Sequence, residues 1–119
     1  MGTRTGPTNY QLQQLLPQLE TRAIESAFWR RVVHDLKKPS RQRRIVNIYK
    51  IDKFAQDGET VLVPGKVLSV GEITKKVKVA AITFSTEARR KINDARGKTL
   101  SIQELFQENP EGKKVRILG

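Results

Sequence analysis

The chain contains no cysteine, which excludes disulfides and thiolate metal sites and suits a reducing compartment such as the cytoplasm. It contains a single histidine, His34, and a lone histidine without a partner reads as a surface or packing residue rather than a ligand or base. No apolar run approaches the length of a bilayer span, and the opening MGTRTGPTNY lacks the apolar core of a signal peptide, so a membrane partner is not expected. Acid is scarce, with 12 Asp+Glu against 23 Lys+Arg, and the carboxylates are scattered. No nucleophile is paired with the histidine. Gly65-Lys66 lacks the earlier spaced glycine and the following Ser or Thr of a phosphate-binding loop. These absences argue against an enzyme, a metal, a cofactor or a small-molecule substrate.

What the chain does have is positive charge. A net charge of +11 on 119 residues repels itself unless a polyanion answers it, which points to nucleic acid ahead of an anionic membrane. The length suits one domain, burying roughly two thirds of its unfolded surface.

The stretch TVLVPGKVLSVGEITKKVKVAAITF, from Thr60 to Phe84, organises the rest. Its two apolar, β-branched runs, Val61-Leu62-Val63 and Val77 to Phe84, have the continuous character of strands covered on both faces. Pro64 has no N–H for a ladder and Gly65 tolerates unusual backbone angles, so the first strand is expected to stop there. Lys66 lies between Gly65 and Gly71, in a tight backbone able to approach a phosphate or in an ordinary loop.

Before this stretch the pattern is helical. Thr8 or Asn9 caps a helix running to about Arg22, with Leu12, Leu15, Leu16, Leu19 and Ala23 on one face. Pro17 interrupts it, predicting a kink or a late start. Ser26 caps a second helix, Ala27 to Lys37, with Phe28, Trp29, Val32, Val33 and Leu36 inward and Pro39 as its stop. The stretch KKPSRQRRIVNIYK, Lys37 to Lys50, then holds six Lys/Arg and no acid. Arg41, Arg43 and Arg44 suit phosphate grips, because a guanidinium bonds two phosphate oxygens at once. Ile45, Ile48, Ile51 and Phe54 would pack a third helix onto the core. Tyr49 suits helix packing better than base stacking.

After the central stretch, Ser85 caps a helix to about Ala95, buried through Ala88, Ile92 and Ala95, with Gly97 as the left-handed residue beyond its end. Ser101-Ile-Gln-Glu104 is a capping box opening a short helix, and Val115 to Leu118 is a last strand. Lys75, Lys76, Lys78 and Lys113-Lys114 fall at strand starts, where loops project. Strands separated by helices predict an α/β fold: a small parallel-type sheet with irregular strand–helix connections, preceded by a helical N-terminal half. The expected organisation is one domain, 1–119, with a flexible arm over 1–8, a helical basic half over 9–56 and a strand–helix core over 60–119.

Several motifs in order match a known family. They are Val63-Pro64-Gly65-Lys66-Val67-Leu68, then Gly71, Val77-x-Val79-Ala80-Ala81 and Phe84-Ser85. Leu36-x-x-Pro39 precedes them, with Val46-Asn47-Ile48-x-Lys50-Ile51, and Thr8-Asn9 stands before the first helix. Glu108-Asn109-Pro110-x-Gly112-Lys113-x-Val115-Arg116-Ile117 ends the chain's set. Together they resemble the archaeal and eukaryotic large-subunit ribosomal protein numbered eighteen in the e-type series, and the short length suits the archaeal branch. The departures are Pro17, Ser40 in place of a basic residue, and Ser69-Val70 where a glycine is common.

The resemblance implies the fold shared with the bacterial fifteenth large-subunit protein. It also implies a non-enzymatic place in the large ribosomal subunit, in the cytoplasm, against large-subunit rRNA and neighbouring ribosomal proteins. The alternative is a free-standing basic nucleic-acid-binding protein. On either reading, charge and turn position nominate Arg41, Arg43, Arg44, Lys66, Lys75, Lys76, Lys78, Arg4 and Lys113 as RNA contacts.

Overall fold

The computed structural model describes residues 7–39 and 43–118, with side chains from residue 12 onward. The elements are α1 (Pro7–Ala23), α2 (Ala27–Leu36), β1 (Arg44–Asn47), α3 (Ile48–Phe54), β2 (Thr60–Leu68), β3 (Lys78–Phe84), α4 (Thr86–Asp94), β4 (Lys98–Ser101), α5 (Ile102–Glu108) and β5 (Val115–Ile117). Among the described residues every strand pairing is parallel. This is the α/β architecture that the alternation of strands and helices predicts.

Strand β2 is the spine. Its first residues pair with β5 (Thr60↔Val115, Leu62↔Ile117), while its last pair with β1 (Arg44↔Gly65, Asn47↔Leu68). The two short strands therefore share one edge of β2 end to end. The other edge carries β3, and β4 lies beyond it. Side chains of the spine alternate between two cores. Val61 and Val63 join Val79 and Ala81 in the core beneath α3 and α4, with Ile48, Ile51, Ala88 and Ile92. Leu62 and Ala80 join the core beneath α1, α2 and α5, with Leu15, Leu19, Trp29, Val32, Leu36 and Leu105. Helices on both faces explain why the two central strands are apolar throughout rather than alternating.

Four expectations are corrected. First, β2 does not stop at Pro64-Gly65. The register against β3 steps from Val63↔Ala81 to Lys66↔Thr83, so one extra β2 residue is accommodated as a bulge. A bulge is where a strand tolerates a residue with no N–H to donate. Second, residues 44–47 are a strand rather than part of a third helix. Val46 points into the core while Ile45 is exposed, and helix α3 buries only Ile48 and Ile51, leaving Phe54 exposed. Third, α1 begins at Pro7 and runs on through Pro17, so it does not start late, and Thr8 and Asn9 lie inside it rather than capping it. Pro17 and Gln13, whose carbonyl loses its helical partner, both lie on the exposed side and are open to water.

The fourth correction concerns the end of α4. Arg96, with φ +66°, is the left-handed residue, and Gly97 follows it. The N–H of Arg96 donates to Asn93 O and that of Gly97 to Ile92 O (both 2.9 Å), which closes the helix in a Schellman motif. Gly97 is required for another reason: a Cβ there would sit 2.3 Å from the main-chain oxygen of Val77.

The three serine capping predictions agree with the structure. Ser26 and Ser85 accept the N–H groups of Trp29 and Ala88. Ser101 and Glu104 form the reciprocal capping box, with Ser101 N–H donating to Glu104 Oε1 (2.8 Å) and Glu104 N–H to Ser101 Oγ (3.0 Å).

The segment from Ser69 to Val77 joins two parallel strands without a helix, a job normally given to one. Side chains fasten it instead. Asn47 Oδ1 accepts the Val70 N–H (3.2 Å), and Asp52 Oδ1 accepts from the Thr74 N–H and hydroxyl (2.9 and 3.2 Å) and from the Lys75 N–H (3.2 Å). Lys91 Nζ donates to the carbonyls of Ser69 and Gly71 (3.2 and 2.9 Å), and Ile73 and Val77 enter the core.

Burial disfavours the charge of Asp52, but the hydrogen bonds from Thr74 and Lys75 outweigh it and lower its pKa. Between this lowered value and the ordinary one, the unfolded chain binds the extra proton, so stability rises with pH through that window. Asp52→Ala is expected to cost about 2 kcal/mol at pH 7. In urea titrations the gap between wild type and variant should close as pH falls through the folded-state pKa, below about 4. An equal gap at pH 7 and pH 3 would show that Asp52 holds the segment without its charge.

Candidate nucleic-acid interface

The nominated residues fall into two groups at opposite ends of the parallel strands. At the carboxyl end of β2, Arg44 opens β1 opposite Gly65, and Lys66 follows it opposite Ile45. Arg44, Ile45 and Lys66 are all exposed. Arg43, immediately before β1, is half-buried. Its Nε is enclosed with no hydrogen-bond partner among the described residues, and that desolvation pulls its pKa down from the ordinary arginine value. Tyr49, in the first turn of α3, has 53 % of its surface exposed, so it does not serve the helix packing expected of it. Its N–H donates to Val70 O (3.2 Å), and Val70 is itself exposed. Arg41 and Arg4 lie outside the described residues.

At the amino end of the sheet stand Lys75, Lys76, Lys78 and Lys113. Here intramolecular chemistry claims several charges. Lys75 Nζ donates to the carbonyls of Asp52 and Ala55. Lys78 pairs with Glu108 (2.8 Å) and Lys113 with Glu111 (3.0 Å). Arg116, on β5, pairs with Glu59 (3.0 Å). The hydrogen bond from Arg116 and then that from the Gln56 N–H hold the Glu59 pKa down, and the hydrogen bond from Lys78 does the same for Glu108. Lys76 is exposed, and only its main chain is engaged: its N–H donates to Asp57 Oδ1 (2.7 Å) and its carbonyl accepts the Gly58 N–H (2.6 Å).

Most acids of the described chain are committed in this way. Asp35 is buried between Arg31 and Lys38 (3.4 and 3.3 Å), and Glu20 meets Lys37. Glu87 and Asp94 share Arg90, both at 3.0 Å, while Glu72 meets Lys91 at 3.3 Å. Among the described residues Arg44, Lys50, Lys66, Lys76, Arg96, Lys98 and Lys114 have no carboxylate partner and remain to face solvent or a ligand. Four of these, Lys50, Arg96, Lys98 and Lys114, were not nominated from sequence. Only the strand register, which sequence does not display, brings the last three together. No group of three metal-ligating side chains occurs among the described residues, and no helix there is long and apolar enough to cross a membrane.

A covered parallel sheet with unanswered cations at both ends defines a basic α/β domain suited to a polyanion. Comparison with known proteins gives the family. Residues 5–119 match the family model described as ribosomal protein 60S L18 and 50S L18e, and the chain belongs to that family. It is 49% identical over 121 residues to the large ribosomal subunit protein eL18 of Methanopyrus kandleri, covering 96% of this chain and 95% of that protein. It is 45% identical over 116 residues to the protein of the same name from Pyrobaculum aerophilum, again covering 96% and 95%. The Archaeoglobus fulgidus protein of that name is 48% identical over 99 residues, covering 83% of this chain and 85% of its own.

Proposed function

We propose that the chain is a structural constituent of the large ribosomal subunit, working in the cytoplasm on the ribosome and holding large-subunit rRNA chiefly through its phosphates. Family membership across residues 5–119 carries this reading. The unanswered cations give it a mechanism: each Lys or Arg placed on a phosphate releases condensed counterions, so affinity falls steeply with salt. Phosphate contacts set position, and RNA shape and unpaired bases supply specificity. The contact set is Arg43, Arg44 and Lys66 at the carboxyl end of the spine strand, with Lys76 at the other end. Lys75, Lys78 and Lys113 first serve the fold and its local ion pairs, and Arg4 and Arg41 extend the set. Neighbouring ribosomal proteins are the other expected partners.

The test is a sucrose gradient of cell lysate probed for this chain at low and high salt. Migration with the large subunit that survives the salt wash supports the reading. A chain that stays at the top of the gradient, or leaves at moderate salt, is a free nucleic-acid-binding protein instead. For the contact set, changing Arg43, Arg44 and Lys66 together to Ala should leave the circular dichroism spectrum intact. It should make the plot of log affinity against log salt shallower by about 2. An unchanged slope removes this edge from the interface.

A further inference from the structure

Four unanswered cations, Lys76, Arg96, Lys98 and Lys114, are brought to one place by strand register. Thr60 is opposite Val115 on one side and Lys78 on the other, and Lys78 is opposite Lys98. The amino ends of β5, β2, β3 and β4 therefore form a straight row, about 14 Å across at ordinary strand spacing. Lys114 precedes β5, Lys76 precedes β3, Lys98 opens β4 and Arg96 sits just before it. All four are exposed.

The acids of this end do not neutralise them. Glu59, Glu108 and Glu111 pair with Arg116, Lys78 and Lys113, and Asp57 is engaged by the Lys76 main chain. Glu108 feels Lys98 at a distance but bonds Lys78.

A second, independent observation concerns the backbone. Arg96 and Lys114, at φ +66° and +59°, are the non-glycine residues in the left-handed region among the described residues. Glycine is the favoured residue in that conformation, above all at the position after a helix that Arg96 occupies. Both positions instead hold a basic residue, in a chain where 23 of 119 residues are Lys or Arg. Each of the two side chains sits on a backbone that costs conformational energy, is exposed, and has no carboxylate partner among the described residues, which leaves its charge available to a ligand.

The geometry points to the amino end of the sheet as a separate RNA contact, a track for one ribose-phosphate strand carried by Lys76, Arg96, Lys98 and Lys114. It rests on the ribosomal reading above and adds where, and through which chemical group, the RNA is held. The row contains cations and no aromatic ring, so it reads phosphate charge and not base identity.

Arg96→Gly is the sharpest test. It relieves the left-handed strain while removing the charge, so thermal unfolding should move up while affinity for deproteinised large-subunit rRNA falls several-fold. A merely structural arginine would lose stability and leave affinity alone. The wider variant joins Arg96→Gly with glutamine at Lys76, Lys98 and Lys114. Its plot of log affinity against log salt should be shallower by about 3. A control with Arg22, Arg30, Arg31 and Lys37 changed to glutamine, on and beside α1 and α2 and outside the row, should keep most of the wild-type slope. If wild type binds and both row variants match its affinity and slope, the track is overturned while the ribosomal reading stands. If wild type itself does not bind the rRNA, both fall. Should the wider variant not fold, Arg96→Gly alone decides.

Discussion

Gly65→Ala is expected to lower the melting temperature by about 15 °C, equivalent to about 4 kcal/mol. A Cβ at this position would lie 1.9 Å from the Arg44 carbonyl oxygen and 2.8 Å from its carbon. Both are main-chain atoms, which cannot rotate out of the way as a side chain would. Relief requires β1 to separate from the second half of β2, breaking the pairings from Arg44↔Gly65 to Asn47↔Leu68 and pulling Val46 from the core. Gly58→Ala is the comparison. Gly58 has a left-handed φ of +87° but nothing within 4 Å of its would-be Cβ, so alanine there should cost only about 1 kcal/mol. Similar melting temperatures for the two variants would show that β1 is not locked against the spine. Because Arg44 opens β1 and Arg43 immediately precedes it, Gly65→Ala should also weaken rRNA binding without touching a charge.

Trp29→Ala should cost about 4 kcal/mol, read as a lower urea midpoint. The ring is fully buried, with Phe28 and Phe106 meeting it edge-on at centroid distances of 4.9 and 5.2 Å. Its Nε1 donates to Pro110 O at 2.7 Å. One side chain thus ties α2 to α5 and to the turn that delivers β5. Trp29→Phe keeps much of the buried area but leaves the Pro110 carbonyl without its donor, and should fall about midway between wild type and alanine. A phenylalanine variant as stable as wild type would mean that the hydrogen bond adds nothing to packing.

The parts of this fold legible in the sequence are those with a period or a cap. The two central strands announced themselves because both faces are buried, and three helices were marked by Ser26, Ser85 and the Ser101–Glu104 box. Strands β1 and β4 left no such mark. Each has four residues and buries one side chain, Val46 or Leu100, so neither offers a repeat to detect. Pro64-Gly65 carries the local chemistry of a stop, and only the neighbouring strands decide that it becomes a bulge. Gly97 satisfied the usual rule for a helix end, yet the approach of Val77 O claimed that glycine and passed the left-handed position to Arg96. The interface was legible as charge but not as availability. Lys75 reads like any loop lysine, and the two carbonyls that occupy it belong to residues about twenty positions earlier, brought near only by the packing of α3.

The divided edge of the spine strand has a consequence in time. A chain is made from its amino end, so β1, β2 and β3 exist before Val115–Ile117 are synthesised. One half of the edge can be covered early, while Thr60–Leu62 must wait for a segment more than fifty residues later in the chain. During that interval their N–H and C=O groups offer a template to any other nascent strand. Closing so distant a pairing is slow compared with forming local helices. The seating of β5, sealed by the Leu118 N–H on Leu62 O at 3.0 Å, is therefore the latch that ends the chain's vulnerable period.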